Sequence, residues 1–361
     1  MIETPLLTRL PPPHKIAVLR ASRLGDFLCA APALRALRAA APQAEITMIT
    51  LPLLRDLVVR SPYVDRFVAF PGFLGIAQQF FKARHALEFF QRMQAERFDL
   101  AIQLHGSGVY ANPFTLMLGA AASAGFVRAE DDAGALAAAL VWPERGHEVH
   151  RLLALMRSIG VEPRGDELLF VLRDEDRQGA AELLTALPRP LIGVHAGSHD
   201  PRRRWPAERF VAVARALLRR HGGTVILLGG MHDSDAAIEL AAKIGPGAYN
   251  LAGRTSLGVL GAVIAQLALL ITNDSGPAHI GFALRAPTIA IYRSGGMERY
   301  GPLLPGPFAA LEPSADAEDP AAAIVGIAQV LTAADRLMSA ATTETELPLC
   351  PPDNASMAYA R

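Results

Sequence analysis

The chain has 361 residues, 51% hydrophobic and 19% charged, and its 35 basic and 35 acidic residues balance to a net charge of zero. That length accommodates two domains with real cores. The neutral balance argues against a nucleic-acid partner, which needs a clustered basic face, and no apolar run of about 18 residues free of charge and proline signals a membrane span.

In chain order, Lys15–Arg20 (KIAVLR) reads as a buried strand, followed by a helix over Asp26–Ala40 with Leu28, Leu34 and Leu37 on its apolar side. Cys29 falls in that helix; the other cysteine, Cys350, lies in a Pro-rich tail, so a reducing compartment fits better than a disulfide framework. Glu45–Thr50 is a second strand, Pro52–Arg60 a second helix, and Arg66–Phe70 and Asp99–Leu104 further strands. Near Pro188–Pro190 the pattern restarts. Strands are expected at Leu191–His195, Thr224–Leu228, Leu269–Thr272 and Thr288–Tyr292, and helices at Ala207–Arg220, Asp233–Ile244, Ser256–Gln266 and Pro277–Leu284. Such alternation predicts an α/β fold of parallel sheets covered on both faces. It divides the chain into residues 14–186 and 187–315, then a helix over 318–339 expected to pack back on the first unit. Residues 340–361, rich in Thr, Pro and small side chains, are expected to be disordered. Met1–Pro13 lacks the apolar segment of a signal peptide, so the Asn354-Ala-Ser356 sequon of a cytoplasmic chain would go unused.

In doubly wound folds ligands bind at the carboxyl ends of strands, and four motifs fall there. Arg20-Ala-Ser22-Arg23-Leu-Gly25-Asp26 follows the first strand; Asp26 reads either as a helix N-cap or as a general base at the cleft mouth. His195-Ala-Gly197-Ser198 leads into Arg202-Arg203-Arg204-Trp205-Pro206. A solvated basic loop is one reading and a phosphate seat with charge-assisted donors the other, and only the second gives Trp205 a purpose. Gly229-Gly230-Met-His-Asp233 offers close backbone approach, with Asp233 as a cap or a ribose acceptor. Asp274-Ser275-Gly276-Pro277-Ala-His279 ends a strand and opens a helix whose free amides and dipole suit a diphosphate; His279 reads as structural or as a ligand contact. No G-x-G-x-x-G follows a strand, which removes a nicotinamide dehydrogenase.

Taken together and in this order, the motifs resemble those of the family 9 glycosyltransferases, the ADP-heptose:lipopolysaccharide heptosyltransferases, over roughly Lys15–Tyr292. The family's S-x-x-G-D element is here Ser22-Arg-Leu-Gly25-Asp26, its histidine element is His195-Ala-Gly197-Ser198 with Arg203-Arg204-Trp205-Pro206, and its D-(S/T)-G-x-x-H element is Asp274 to His279. The resemblance implies a GT-B fold of two Rossmann-like domains facing a cleft, and metal-independent, inverting transfer from an ADP-sugar with no further cofactor. It implies Asp26 as base and Arg203, standing where the family usually has Lys, on the donor diphosphate. Donor contacts would come from Ser198, Arg204, Asp233, Asp274, Ser275, Gly276 and His279, with Ser22 and Arg23 on the acceptor side. The partners implied are a nucleotide-sugar and a glycan or glycolipid acceptor. The location implied is cytoplasmic, with peripheral contact at the inner membrane suggested by the Phe-rich Gly72–Phe98 segment. A GT-B nucleotide-sugar epimerase and a non-catalytic nucleotide-sugar-binding protein are the competing readings.

Overall fold

The computed structural model describes residues 4–76, 79–293, 295–313 and 324–344. It contains two parallel six-stranded sheets. The first holds β1 (Lys15–Leu19), β2 (Glu45–Thr50), β3 (Arg66–Ala69), β4 (Leu100–Gln103), β5 (Ala122–Val127) and β6 (Ala138–Val141), in the order β3-β2-β1-β4-β5-β6. The second holds β7 (Leu191–His195), β8 (Thr224–Leu227), β9 (Ala248–Asn250), β10 (Leu269–Asn273), β11 (Thr288–Ile291) and β12 (Phe308–Leu311), in the order β12-β11-β10-β7-β8-β9. Each sheet therefore reverses direction beside its first strand, between β1 and β4 and between β7 and β10. That reversal splays the following helices to opposite faces and leaves a crevice at the carboxyl ends. This is the expected fold: α/β, with two doubly wound halves.

The central strands are apolar runs because both faces are covered: Ile16 to Leu19 and Leu269 to Ile271 have no exposed surface. One hydrophobic cluster crosses the seam, joining Val18, Ile46 and Ile102 of the first half to Leu260, Leu270 and Ile280 of the second. A separate cluster gathers Trp205, Phe210, Val213, Ile289 and Ile291 on the far face of the second sheet.

Several elements depart from expectation. The helix over Asp26–Ala40 is two helices, Leu24–Leu28 and Ala31–Ala40. Pro32 cannot donate to the carbonyl of Leu28 and its ring would crowd that carbonyl, so a single helix breaks there. The C-terminal helix, Ile327–Glu344, does not pack on the first unit. Its Val330, Ala333, Ala334 and Leu337 form one stripe buried with Val213, Leu217 and Ile291 of the second half. Helical periodicity shows that such a stripe needs a partner but not which one. The helix also runs through residues 340–344, where disorder was expected; residues 345–361, with Cys350 and the sequon, lie outside the described residues. Finally, the Asp174–Leu184 helix, grouped by sequence with the first unit, packs against the Leu257–Ile264 helix of the second, with Gly179 leaving room for Val259.

Among the described residues no helix is long and apolar enough to cross a membrane. Within the Phe-rich segment, Phe89 and Phe90 are core, whereas Phe80 is 91% exposed.

Candidate active site

The first and last motifs meet across the seam. The short Leu24–Leu28 helix that carries Asp26 packs against the Gly276–Ala283 helix. The contact is reciprocal: a Cβ on Gly25 would lie 2.5 Å from the His279 ring, and one on Gly276 would lie 2.6 Å from Leu24 Cδ2. Two glycines, one from each half, thus let the two helix starts approach.

Asp26 is not an N-cap. Arg23 holds that position and makes no side-chain cap bond. Instead the Asp26 carboxylate, 28% exposed, accepts a 2.7 Å hydrogen bond at Oδ1 from the Tyr300 hydroxyl and has Arg20 Nη2 at 3.6 Å. Arg20, buried at the end of β1, donates to the backbone carbonyls of Asp26 and Leu104 and pairs with Glu148 Oε1 at 2.8 Å. The other Glu148 oxygen takes Arg151 at 2.7 Å and Arg299 at 2.9 Å. Burial alone would raise the Glu148 carboxyl, but Arg20, Arg299 and Arg151 override it and hold its pKa down to about 2. After β4, His105 lies within the field of Arg20 and Asp26; burial, aided by Arg20, lowers its pKa to about 4 and keeps the imidazole neutral at physiological pH.

On the opposite wall the three adjacent arginines separate. Arg202 faces solvent and pairs with Asp200. Arg204 turns back and donates from Nε to the Ser198 carbonyl at 2.8 Å, bracing the loop. Arg203, 39% exposed, reaches Asp274 Oδ2 at 3.0 Å as an ion pair without hydrogen-bond geometry. Burial raises the Asp274 carboxyl to about 6 against the pull of Arg203, with the charge of Asp26 adding to the rise. Trp205 is buried: its backbone N–H donates to Asn273 Oδ1, its ring N–H donates to the Val325 carbonyl, and Phe210 packs on it edge to face at 4.9 Å. Its purpose is to anchor the arginine loop.

His195, closing β7, links the remaining donor-side residues. Its Nδ1 lies 3.1 Å from Ser275 Oγ and 3.2 Å from Thr272 Oγ1, and its Nε2 lies 3.7 Å from Asp233 Oδ2. Burial would raise Asp233, but His195 and the Gly230 amide hold its carboxylate below the ordinary value. A Cβ on Gly197 would stand 2.3 Å from Asp233 Oδ1, so only glycine leaves that carboxylate in place. Ser275 makes no side-chain cap hydrogen bond at the helix start, where the first amides have no partner within the helix.

The structure therefore gathers Ser198, Arg203, Asp233, Asp274, Ser275 and Gly276 around the carboxyl ends of β7 and β10, and sets Asp26, Ser22 and Arg23 on the facing wall. Ser22 is buried with its Oγ unpartnered, and Arg23 is exposed. His279 is different. Its ring is 4% exposed, lies 3.8 Å from Cys29 Sγ and touches Tyr300 and Phe282 edge-on, so it belongs to the packing between the halves rather than to the open cleft. Sequence reasoning missed Arg20's network, His105, Glu148, Arg299 and Tyr300. Among the described residues no three His, Cys, Asp or Glu side chains converge as a metal ion would need.

The chain is similar to known proteins over much of its length. Residues 86–310 match the profile of glycosyltransferase family 9 (heptosyltransferase). The chain is 30% identical over 300 residues to lipopolysaccharide heptosyltransferase 2 of Escherichia coli, covering 77% of this chain and 82% of the relative. Among solved structures it resembles a family 9 glycosyl transferase of Veillonella parvula, with a TM-score of 0.79 and 24% identity over 91% of this chain and 98% of the other. It also resembles the E. coli ADP-heptose lps heptosyltransferase II, with a TM-score of 0.75 and 24% identity over 91% and 99%. The chain belongs to glycosyltransferase family 9, the heptosyltransferases, and is a glycosyltransferase.

Proposed function

We propose that the protein transfers a heptose from ADP-heptose to a hydroxyl of a lipopolysaccharide core, with inversion and without a metal ion. The observation that carries this reading is the opposition of one partly exposed carboxylate, Asp26, to a basic and amide-rich wall formed by Arg203 and the Gly276–Ala283 helix start. The names of the relatives, lipopolysaccharide heptosyltransferase 2 and ADP-heptose lps heptosyltransferase II, supply the sugar, the nucleotide and the acceptor class.

In this mechanism the donor diphosphate sits against Arg203, Ser198, Ser275 and the Gly276 amide, and its ribose faces Asp233. The acceptor hydroxyl enters from the Ser22–Arg23 side. Asp26 takes the hydroxyl proton as the new oxygen–C1 bond forms. The C1–phosphate oxygen bond breaks on the opposite face, and its electron pair leaves with ADP. Arg203 and the helix start stabilise the charge growing on that phosphate, while the cleft orients both substrates. The exposed Leu74, Phe80 and Leu87 would let the first unit rest on the membrane that holds a lipid-linked acceptor.

The test is transfer from ADP-heptose to purified lipopolysaccharide cores truncated within their heptose region, followed by mass and by the anomeric configuration of the product. Addition of one heptose with inverted configuration is expected, and Asp26→Asn is expected to lower turnover about 10²- to 10⁴-fold, the usual contribution of a general base. Near-normal turnover by Asp26→Asn would remove the base assignment. Epimerisation of the sugar without transfer would replace the whole reading.

A further inference from the structure

We infer that Tyr300 is a positioning residue for the base, and that Arg293 together with residues 295–301 couples the donor wall to Asp26. The inference rests on the proposed role of Asp26 and adds a group that the sequence motifs do not contain.

The segment begins at the donor wall. Arg293 Nη1 donates to the Arg204 carbonyl, and Gly296, in a left-handed conformation at φ 101°, passes so close to Asp274 that a Cβ there would lie 3.4 Å from Oδ2. It then forms the short Met297–Tyr300 helix, and four consecutive residues reach the other half of the molecule. Glu298 Oε1 accepts from the Gly146 amide at 3.0 Å, and Arg299 pairs with the buried Glu148. Tyr300 donates to Asp26, and the Gly301 carbonyl lies 3.0 Å from His147 Nε2. Tyr292, buried at the end of β11, fixes the strap from beneath by donating to the Tyr300 carbonyl at 3.0 Å. Asp26 therefore finds its hydrogen-bond donor only when the second half is seated on the first.

The chemistry follows from which oxygen is occupied. Tyr300 holds Oδ1, and Arg20 approaches the same oxygen, which leaves Oδ2 to accept the proton of the acceptor hydroxyl. Burial, with the nearby charges of Asp26 and Glu148, pushes the phenol of Tyr300 further above its ordinary value, so it remains a neutral donor throughout. Tyr300 thus fixes the rotamer of the base.

Tyr300→Phe keeps the ring against His279 and removes only the hydroxyl. With ADP-heptose and a truncated lipopolysaccharide core, this variant is expected to lose kcat by about 10- to 100-fold, the range of one hydrogen bond to an ionised group. ADP affinity measured by calorimetry is expected to stay within about threefold, so that the loss falls on kcat and not on donor binding. Replacing Tyr300 by fluorotyrosine, which keeps a hydroxyl, is expected to restore kcat. A wild-type kcat in Tyr300→Phe would overturn the inference, as would a loss that fluorotyrosine shares, since that loss would come from packing. Asp26→Asn measured alongside separates the two levels. If Asp26→Asn collapses turnover while Tyr300→Phe changes nothing, only the inference fails. If Asp26→Asn also turns over normally, the base assignment beneath it fails.

Discussion

Gly25 and His279, 254 positions apart in the chain, touch so closely that a methyl group on Gly25 would fall 2.5 Å from the imidazole Cδ2. This contact sets the spacing between the helix that carries Asp26 and the Gly276–Ala283 helix. Gly25→Ala is therefore expected to overpack the seam, at a cost of about 1–3 kcal/mol, and to reduce transfer by displacing Asp26. Gly25→Ala combined with His279→Ala is expected to recover part of both losses, because residues in contact are not additive. Chemical denaturation and transfer rates of the two single variants and the double variant check this; strict additivity would contradict it.

Arg203 and Arg204 are neighbours with different work. Arg203→Ala is expected to weaken ADP binding by about 10- to 100-fold, the loss of a charge-assisted contact, with little change in thermal midpoint. Arg204→Ala frees the Ser198 carbonyl and is expected to lower the thermal midpoint as well as the affinity. Parallel calorimetry and melting curves distinguish them, and identical profiles would show that the two arginines share one role.

Glu148 pairs with Arg20, Arg151 and Arg299 at once. Glu148→Gln leaves those cations underpaired and is expected to cost about 3–5 kcal/mol at neutral pH. Its folded pKa, about 2, lies below the ordinary value of 4.5. The stabilisation is thus present above about pH 4.5 and is lost as the pH falls toward 2. The gap between wild type and variant should narrow over that window in denaturant titrations; a constant gap would contradict the assignment.

Asp274 has the opposite sign. Its folded pKa, about 6, lies above its ordinary 3.8. The folded state therefore holds the proton more tightly, and that stabilisation is present below about pH 4 and lost as the pH rises through 6. Asp274→Asn does not titrate, so its stability relative to wild type is expected to improve between pH 4 and pH 7, by an amount on the order of 1–3 kcal/mol. Urea midpoints across that range provide the check.

Much of this architecture is legible in the sequence because a parallel strand buried on both faces must be an apolar run, and KIAVL, LIGVH and LLITN are such runs. The donor wall is legible because its residues sit at strand ends with glycine or proline beside them. β5 escaped because ASAGFV has too little bulk to read as a strand, although all six of its residues are buried. Tyr300, Arg299 and Glu148 escaped for another reason: none lies in a strand-end motif, and each gains its meaning only from a contact across the seam. Tyr300 meets Asp26 from 274 positions away, and Arg299 meets Glu148 from 151. Arg20 reads as the last residue of a strand, yet its burial beside Glu148, which also pairs with Arg299, links the Asp26 loop to the second half. His279 shows the converse, a motif residue whose place in the fold is packing.

Which nucleotide the protein binds tests the proposed ADP-heptose donor most directly. Calorimetric titration with ADP, UDP and GDP, without added metal, is expected to show clear preference for ADP, with ADP binding weakened in Arg203→Ala and kept in Asp26→Asn. Preference for UDP or GDP would contradict an ADP-heptose donor while leaving the fold and family untouched.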